Sequence, residues 1–280
     1  MNRETTPLIV ASAAFIAIFG FAIAWKALPP QLLAAVVGVS LSPFASTLGI
    51  LGLGIVFGLR HAFEADHIAA VGSMVSEQGG VRRALLTGVL WGTGHTISIL
   101  AAGVLVLGLR LAISDRTSRF LEFGVALMII TLGGLALSRA LRGRNDVHRH
   151  AHAHPGHSHA HLHFHDGNDQ HLSSDPGHAR PVGLKPLLVG LMHGLAGSAA
   201  LTLLVLTQTR SIPLGLAYLA AFGIGSIGGM AMMSVLISVP FLASARRPGL
   251  NRFIRIAAGG LGLAFGLFYA WSQVHPGAGA

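Results

Sequence analysis

The sequence predicts an all-α protein: a polytopic membrane-helix bundle of about seven spans (six to eight), built as an inverted repeat of two three-helix units. Three observations lead there. Apolar residues make up 52% of the 280 and charged residues only 10%, with a mean hydropathy of +0.66; a soluble domain carries about a quarter charged residues to stay solvated. Apolar runs of about 20 residues, the length that crosses a hydrocarbon core, recur along the chain. Three landmarks of the first half also return at nearly equal spacing in the second.

The 19 Lys+Arg against 10 Asp+Glu give a formal charge of +9. On a soluble protein that excess would suggest nucleic acid, but there is no aromatic-basic interleaving on which bases could stack. It is read instead as basic loops on the cytoplasmic side of a membrane. The lipid bilayer is the expected partner, and nucleic acid is not. The chain has no cysteine, which excludes a disulfide scaffold and thiolate metal sites.

The predicted spans are Leu8 to Ala27, Leu48 to Val75, Ala84 to Leu107, Phe120 to Leu141, Pro186 to Thr207, Leu214 to Ala243 and Phe253 to Trp271. In the first, Arg3 and the Ala22-Ile23-Ala24 triplet imitate a secretory signal. The run is long for a signal and continues into Trp25 and Lys26, an interfacial anchor pair, so it is read as a retained span. The second and sixth exceed a simple straight span, and tilt or a break is expected in each. Gln31 to Leu41 is short and apolar, either re-entrant or an extension of the second span.

Thirteen Lys/Arg lie on the side of the N-terminus and five on the other. That asymmetry places the N-terminus and the long central loop in the cytoplasm of a bacterial inner-membrane protein. The expected organisation is spans one to four over residues 1–142, with the first repeat starting near 45, then a loop over 143–182, then spans five to seven over 183–280. The loop holds 11 of the 16 histidines: His148, His150, His152, His154, His157, His159, His161, His163, His165, His171 and His178. Its composition predicts disorder without ligand. The first nine of these are expected to bind divalent metal as neutral imidazoles, with affinity falling below about pH 6.5.

Gly58-Leu59-Arg60-His61 recurs as Gly190-Leu191-Met192-His193, Gly92-Thr93-Gly94-His95 as Gly223-Ile224-Gly225-Ser226, and, more weakly, Phe120-Leu121-Glu122-Phe123 as Phe253-Ile254-Arg255-Ile256. Units of three spans each insert with opposite topology, the plan of secondary transporters whose sites lie at the repeat interface.

Only Glu64 and Asp66 among the acids sit deep in an apolar segment, within Arg60-His61-Ala62-Phe63-Glu64-Ala65-Asp66-His67. Ionisable groups cost several kcal/mol at bilayer depth, so this cluster is the candidate site. On a continuous helix His61, Glu64 and His67 share one 120° sector at ~100° per residue. Asp66 points away from it; it joins them if the helix breaks, or orients a histidine from behind. His95 is the natural fourth donor, and His193 is a weaker candidate. Imidazoles with one or two carboxylates suit Ni²⁺, Co²⁺, Zn²⁺ or Cu²⁺ rather than Mg²⁺ or Ca²⁺. The bland alternative is an Arg60–Glu64 ion pair at i, i+4, which would leave the histidines available to metal. A metalloprotease fails on spacing, because Glu64 is three residues from each histidine. A serine hydrolase built on Ser198 rests on a lone serine in a glycine-rich helix, usually a packing residue.

His61-Ala62-Phe63-Glu64-Ala65-Asp66-His67 resembles the H-x4-D-H signature of the nickel/cobalt transporter family, and Gly94-His95-Thr96 resembles that family's second motif. The resemblance implies transport of Ni²⁺ or Co²⁺ as cargo, with no cofactor and no enzymatic reaction, and implicates His61, Asp66, His67 and His95 in metal selection. Glu64 stands where members usually have aspartate. Gly190 to Ser198 looks more like the divergent branch associated with urease-accessory membrane proteins, and the histidine loop resembles that of efflux members. A membrane-bound metallochaperone serving metalloenzyme-maturation proteins, and zinc or nickel efflux, are the alternatives.

Overall fold

The computed structural model describes residues 43–76, 79–109, 114–143, 147–154, 157–164, 182–208 and 211–275. The first predicted span and Gln31 to Leu41 lie outside them. The described helices are α1 (Pro43–His61), α2 (Ala65–Val75), α3 (Val81–Leu109), α4 (Asp115–Leu141), α5 (Lys185–Gln208), α6 (Ile212–Ser244) and α7 (Pro248–Val274).

Each predicted span after the first coincides with a helix or helix pair. Among the described residues, α3, α4, α6 and α7 are each long and apolar enough to cross a bilayer, and the α1–α2 pair, bent by 57°, is either a fifth, broken span or a re-entrant loop. The chain is thus a multi-pass helical membrane protein. Of the two over-long spans, the second is broken, between His61 and Ala65. The sixth is not: α6 runs 33 residues without interruption, with Pro240 inside it. At ~1.5 Å per residue it is longer than the ~30 Å hydrocarbon core, so it crosses tilted or projects from it.

The repeat is written in the packing. α3 lies on α5 and α6, α1 on α6, and α4 on α7. Exchanging α1 with α5, α3 with α6 and α4 with α7 maps this set onto itself. Individual contacts obey the same exchange. Gly58 of α1 lies against the Phe222 backbone of α6, as Gly190 of α5 does against that of Trp91 in α3. Gly94 meets Leu187, and its counterpart Gly225 meets Ile55; Gly133 meets Leu263, and Gly266 meets Ile130.

These contacts also fix direction. Gly88 beside Met230 and Gly103 beside Leu219 make α3 and α6 antiparallel; Gly133 and Gly266 do the same for α4 and α7. α1 runs parallel to α6, with Gly54 at Tyr218 and Gly229 at Ala62, and α3 runs parallel to α5. Every helix of one unit therefore opposes its counterpart, which is inverted topology. Backbones this close need small residues, as in lipid-embedded bundles generally.

Trp91, Ile129, Met230 and Met233 fill the interior. At the α6–α7 turn, Asn251 Nδ2 donates to Phe241 O (3.0 Å) and Ser244 Oγ (2.9 Å), and Arg255 Nε donates to Asn251 Oδ1 (2.6 Å).

Within the central loop, for which disorder is expected, two described segments are extended. Val147–His154 and His157–Phe164 form an antiparallel two-stranded ribbon, β1 and β2. Alternation of histidine with other residues is a period-two pattern that suits a strand, and the Pro155-Gly156 dipeptide between the runs is a turn former. The composition pointed to disorder; the alternation within it pointed the other way.

Gly58→Ala is expected to lower stability by about 1–3 kcal/mol through overpacking against the α6 backbone. Gly228→Ala, on an exposed face with open space around it, is expected to be neutral or stabilising. Thermal unfolding of both variants in detergent checks the contrast.

Candidate metal site

The site begins with the break. α1 ends at His61, and the next residues turn tightly: the Phe63 N–H donates to Arg60 O and the Glu64 N–H to His61 O, both at 3.0 Å. Local bonds of this kind satisfy backbone groups that lipid cannot. Glu64 is extended (φ −69°, ψ 152°) and precedes α2, whose first-turn Ile68 N–H donates to Glu64 O at 3.0 Å. Asp66 thus lies in the first turn of a new helix, where exposed N–H groups and the helix dipole favour a carboxylate. Its Oδ1 accepts from the His67 N–H at 3.0 Å.

The reorientation turns Asp66 inward. Its Oδ1 lies 3.0 Å from His67 Nδ1 and its Oδ2 lies 2.9 Å from His193 Nε2. One carboxylate therefore bridges an imidazole of α2 and one of α5. On the other side of His67, His61 Nε2 lies 3.2 Å from His95 Nε2 of α3. That is hydrogen-bond distance, and it is also close to the roughly 3.3 Å that would separate two nitrogens bound at about 2.0–2.1 Å to one tetrahedral ion. His61 Nδ1 is held by Glu64 Oε1 at 3.2 Å. The break ends the i, i+4 helical relation of Arg60 and Glu64, and the Glu64 carboxylate meets His61.

Two groups of three donors result, His61–His67–His95 and Asp66–His67–His193, each with its ligand atoms within 4.8 Å of one another. His67 and His95 are fully buried and His193 is 2% exposed. His67 Nε2, His95 Nδ1 and His193 Nδ1 are buried without a hydrogen-bond partner. A polar atom left so costs about 1–3 kcal/mol, a penalty that metal ligation removes for a nitrogen facing the ion.

All six sequence candidates within the membrane fall in this one cluster. Glu64, 42% exposed, sits at its edge behind His61 and belongs to neither group of three. The ribbon places its histidines by register: His148 opposite His163, His150 opposite His161, His152 opposite His159 and His154 opposite His157. His165 lies outside the described residues.

Sequence reasoning gave no role to the aromatic walls. The Trp91 ring stands 5.2 Å from that of His67 and 5.7 Å from that of His193, and Phe222 stands 5.4 Å from His61. The signal was present, because Trp91-Gly92 and Phe222-Gly223 occupy equivalent places in the two repeats.

Asp66→Asn keeps the shape but puts an NH₂ where one imidazole now meets an oxygen. Losing such a support typically lowers metal affinity roughly 10–100-fold. Nickel titration of the purified variant should show that loss with a smaller one for Glu64→Gln; equal losses would contradict the geometry.

The family model described as NicO, high-affinity nickel-transport protein, matches residues 47–247. The chain is 35% identical to the urease accessory protein UreH of Bacillus sp. (strain TB-90), over 80% of this chain and 92% of that one. It is 27% identical to the cobalt transport protein NhlF of Rhodococcus rhodochrous, over 85% of this chain and 66% of that one. A shorter match, 34% identical, joins 28% of this chain to 22% of a high-affinity nickel transport protein of Cupriavidus necator. No solved structure matches. With the match running from α1 through α6 and covering the whole intramembrane cluster, the chain belongs to the NicO family of nickel-transport proteins.

Proposed function

We propose that this chain carries Ni²⁺ or Co²⁺, as substrate, across the bacterial inner membrane through the histidine–carboxylate cluster. The supporting observation is the convergence of His61, His67 and His95 from three helices to within 4.8 Å, beside a carboxylate and inside a bundle of inverted units. Nitrogen donors with a carboxylate suit late divalent first-row metals. The glycine contacts that join the units run past the cluster on both sides, so rocking of one unit against the other would expose it alternately to each face.

The N-terminus and the histidine ribbon lie in the cytoplasm on this reading, by the basic-residue asymmetry. The histidines of this loop, four pairs of which face each other in register, then serve to load or unload the same metals. No covalent chemistry is assigned to the chain. The match to a protein named for urease accessory function favours one second reading, in which the chain hands nickel to maturation proteins instead of moving it through the membrane.

Uptake and release of ⁶³Ni and ⁵⁷Co in cells expressing wild type, His61→Ala and His67→Ala test the proposal. Altered accumulation with wild type, reduced about tenfold or more in both variants, is expected; its sign gives the direction of transport. Metal movement unchanged by both substitutions would contradict the site. Deleting residues 146–180 separates the two readings. Flux that survives marks the ribbon as an accessory, whereas metal-dependent activity lost with no flux in any form supports delivery.

A further inference from the structure

His67 belongs to two donor groups at once, and the groups differ in where they come from. His61, His67 and His95 all lie in the first unit, on α1, α2 and α3. Asp66 and His67 meet His193 on α5, which belongs to the second. One group closes within a unit; the other closes only across the interface between units.

The two nitrogens of His67 divide between them. Nδ1 lies 3.0 Å from Asp66 Oδ1, on the side where Asp66 Oδ2 meets His193 at 2.9 Å. Nε2 is buried and without a partner, and it is the atom left for His61 and His95. A neutral imidazole has one lone pair: one ring nitrogen carries the proton and the other accepts. His67 can therefore ligate at one group or the other, but not at both.

We infer that the two groups are successive stations for one ion, with His67 a ligand at each, and that His193 receives the ion as the two units move against each other. The inference rests on the transport reading and adds a second position to it. The hand-over breaks the ion's bond at Nε2 and makes one at Nδ1, with the ring proton moving from Nδ1 to Nε2, so the ion stays beside His67 in a low-dielectric interior, where an unpaired charge is most costly. Trp91, packed on both His67 and His193, walls the passage between the stations.

Cobalt binding to the purified full-length chain tests this, with the histidines from 148 to 178 replaced by glutamine so that only the membrane site is read. Equilibrium dialysis counts ions, X-ray absorption counts imidazole ligands, and vesicle uptake reports flux. One ion per chain is expected. The His61→Ala/His95→Ala double variant should still hold one ion, now with fewer imidazoles and a carboxylate, and adding His193→Ala should abolish it. His193→Ala alone should hold one ion on three imidazoles and lose flux.

Two ions bound at once to the unaltered membrane site would overturn the inference. So would a folded double variant that binds none together with a His193→Ala chain that still transports, since Asp66 and His193 would then only orient His67. If the double variant does not fold, His193→Ala decides alone: flux retained overturns the inference, and flux lost with the ion still on three imidazoles supports it. Failure of the transport reading itself looks different, as no flux from the unsubstituted chain.

Discussion

A carboxylate inside a membrane must face protein, and this structure is arranged around that constraint. On an unbroken helix Asp66 would point away from His61 and His67, toward surroundings where a charged group costs several kcal/mol. Interrupting the helix at residues 62–64 removes the conflict. The local bonds from Phe63 and Glu64 keep the backbone satisfied through the turn, and the new helix offers its N-terminus to the carboxylate. From there Asp66 reaches two imidazoles on two helices, and His61, left at the end of α1, reaches His95 on a third.

The duplicated scaffold supplies the frame without dictating the chemistry. Gly58 and Gly190 make equivalent close approaches, as do Gly94 and Gly225, so the two units dock with matched geometry. The functional positions have diverged. His61 corresponds to His193, but His95 corresponds to Ser226, whose hydroxyl donates to Gly58 O at 3.3 Å in a purely structural contact. The break is also confined to one unit: α5 continues as a helix through Gly194-Leu195-Ala196, where the first unit turns at Ala62-Phe63-Glu64. An asymmetric site in a pseudosymmetric bundle follows, with most donors on one side of the interface and His193 on the other.

Much of this was legible in the residues. Hydropathy located the spans because bilayer thickness imposes their length, and the repeat was visible because close helix contact demands glycine at fixed places. His61, Asp66, His67 and His95 stood out because ionisable groups at bilayer depth are too costly to persist without a function. The place of the break was harder to read, since no proline or glycine marks residues 61–66; it follows from the needs of Asp66 and not from local propensity. For α6 the excess length called for tilt or a break, and the helix stays continuous over its 33 residues. The ribbon was hidden because composition and alternation point in opposite directions there, and alternation prevails. His193 was underrated because its partner, Asp66, comes into reach only after the break.

The central claim is that His61, His67 and His95, carried by three different helices, hold the same ion. A chain without cysteine allows a direct test: His61→Cys, His67→Cys and His95→Cys, each loaded with Co²⁺ and followed by absorption spectroscopy. A thiolate bound to cobalt gives an intense ligand-to-metal charge-transfer band that imidazole does not. The account predicts that band in all three variants and its absence when cysteine replaces Ile97, two residues along α3 on an exposed face. A His95→Cys protein that binds cobalt in the membrane site but shows no such band would contradict it.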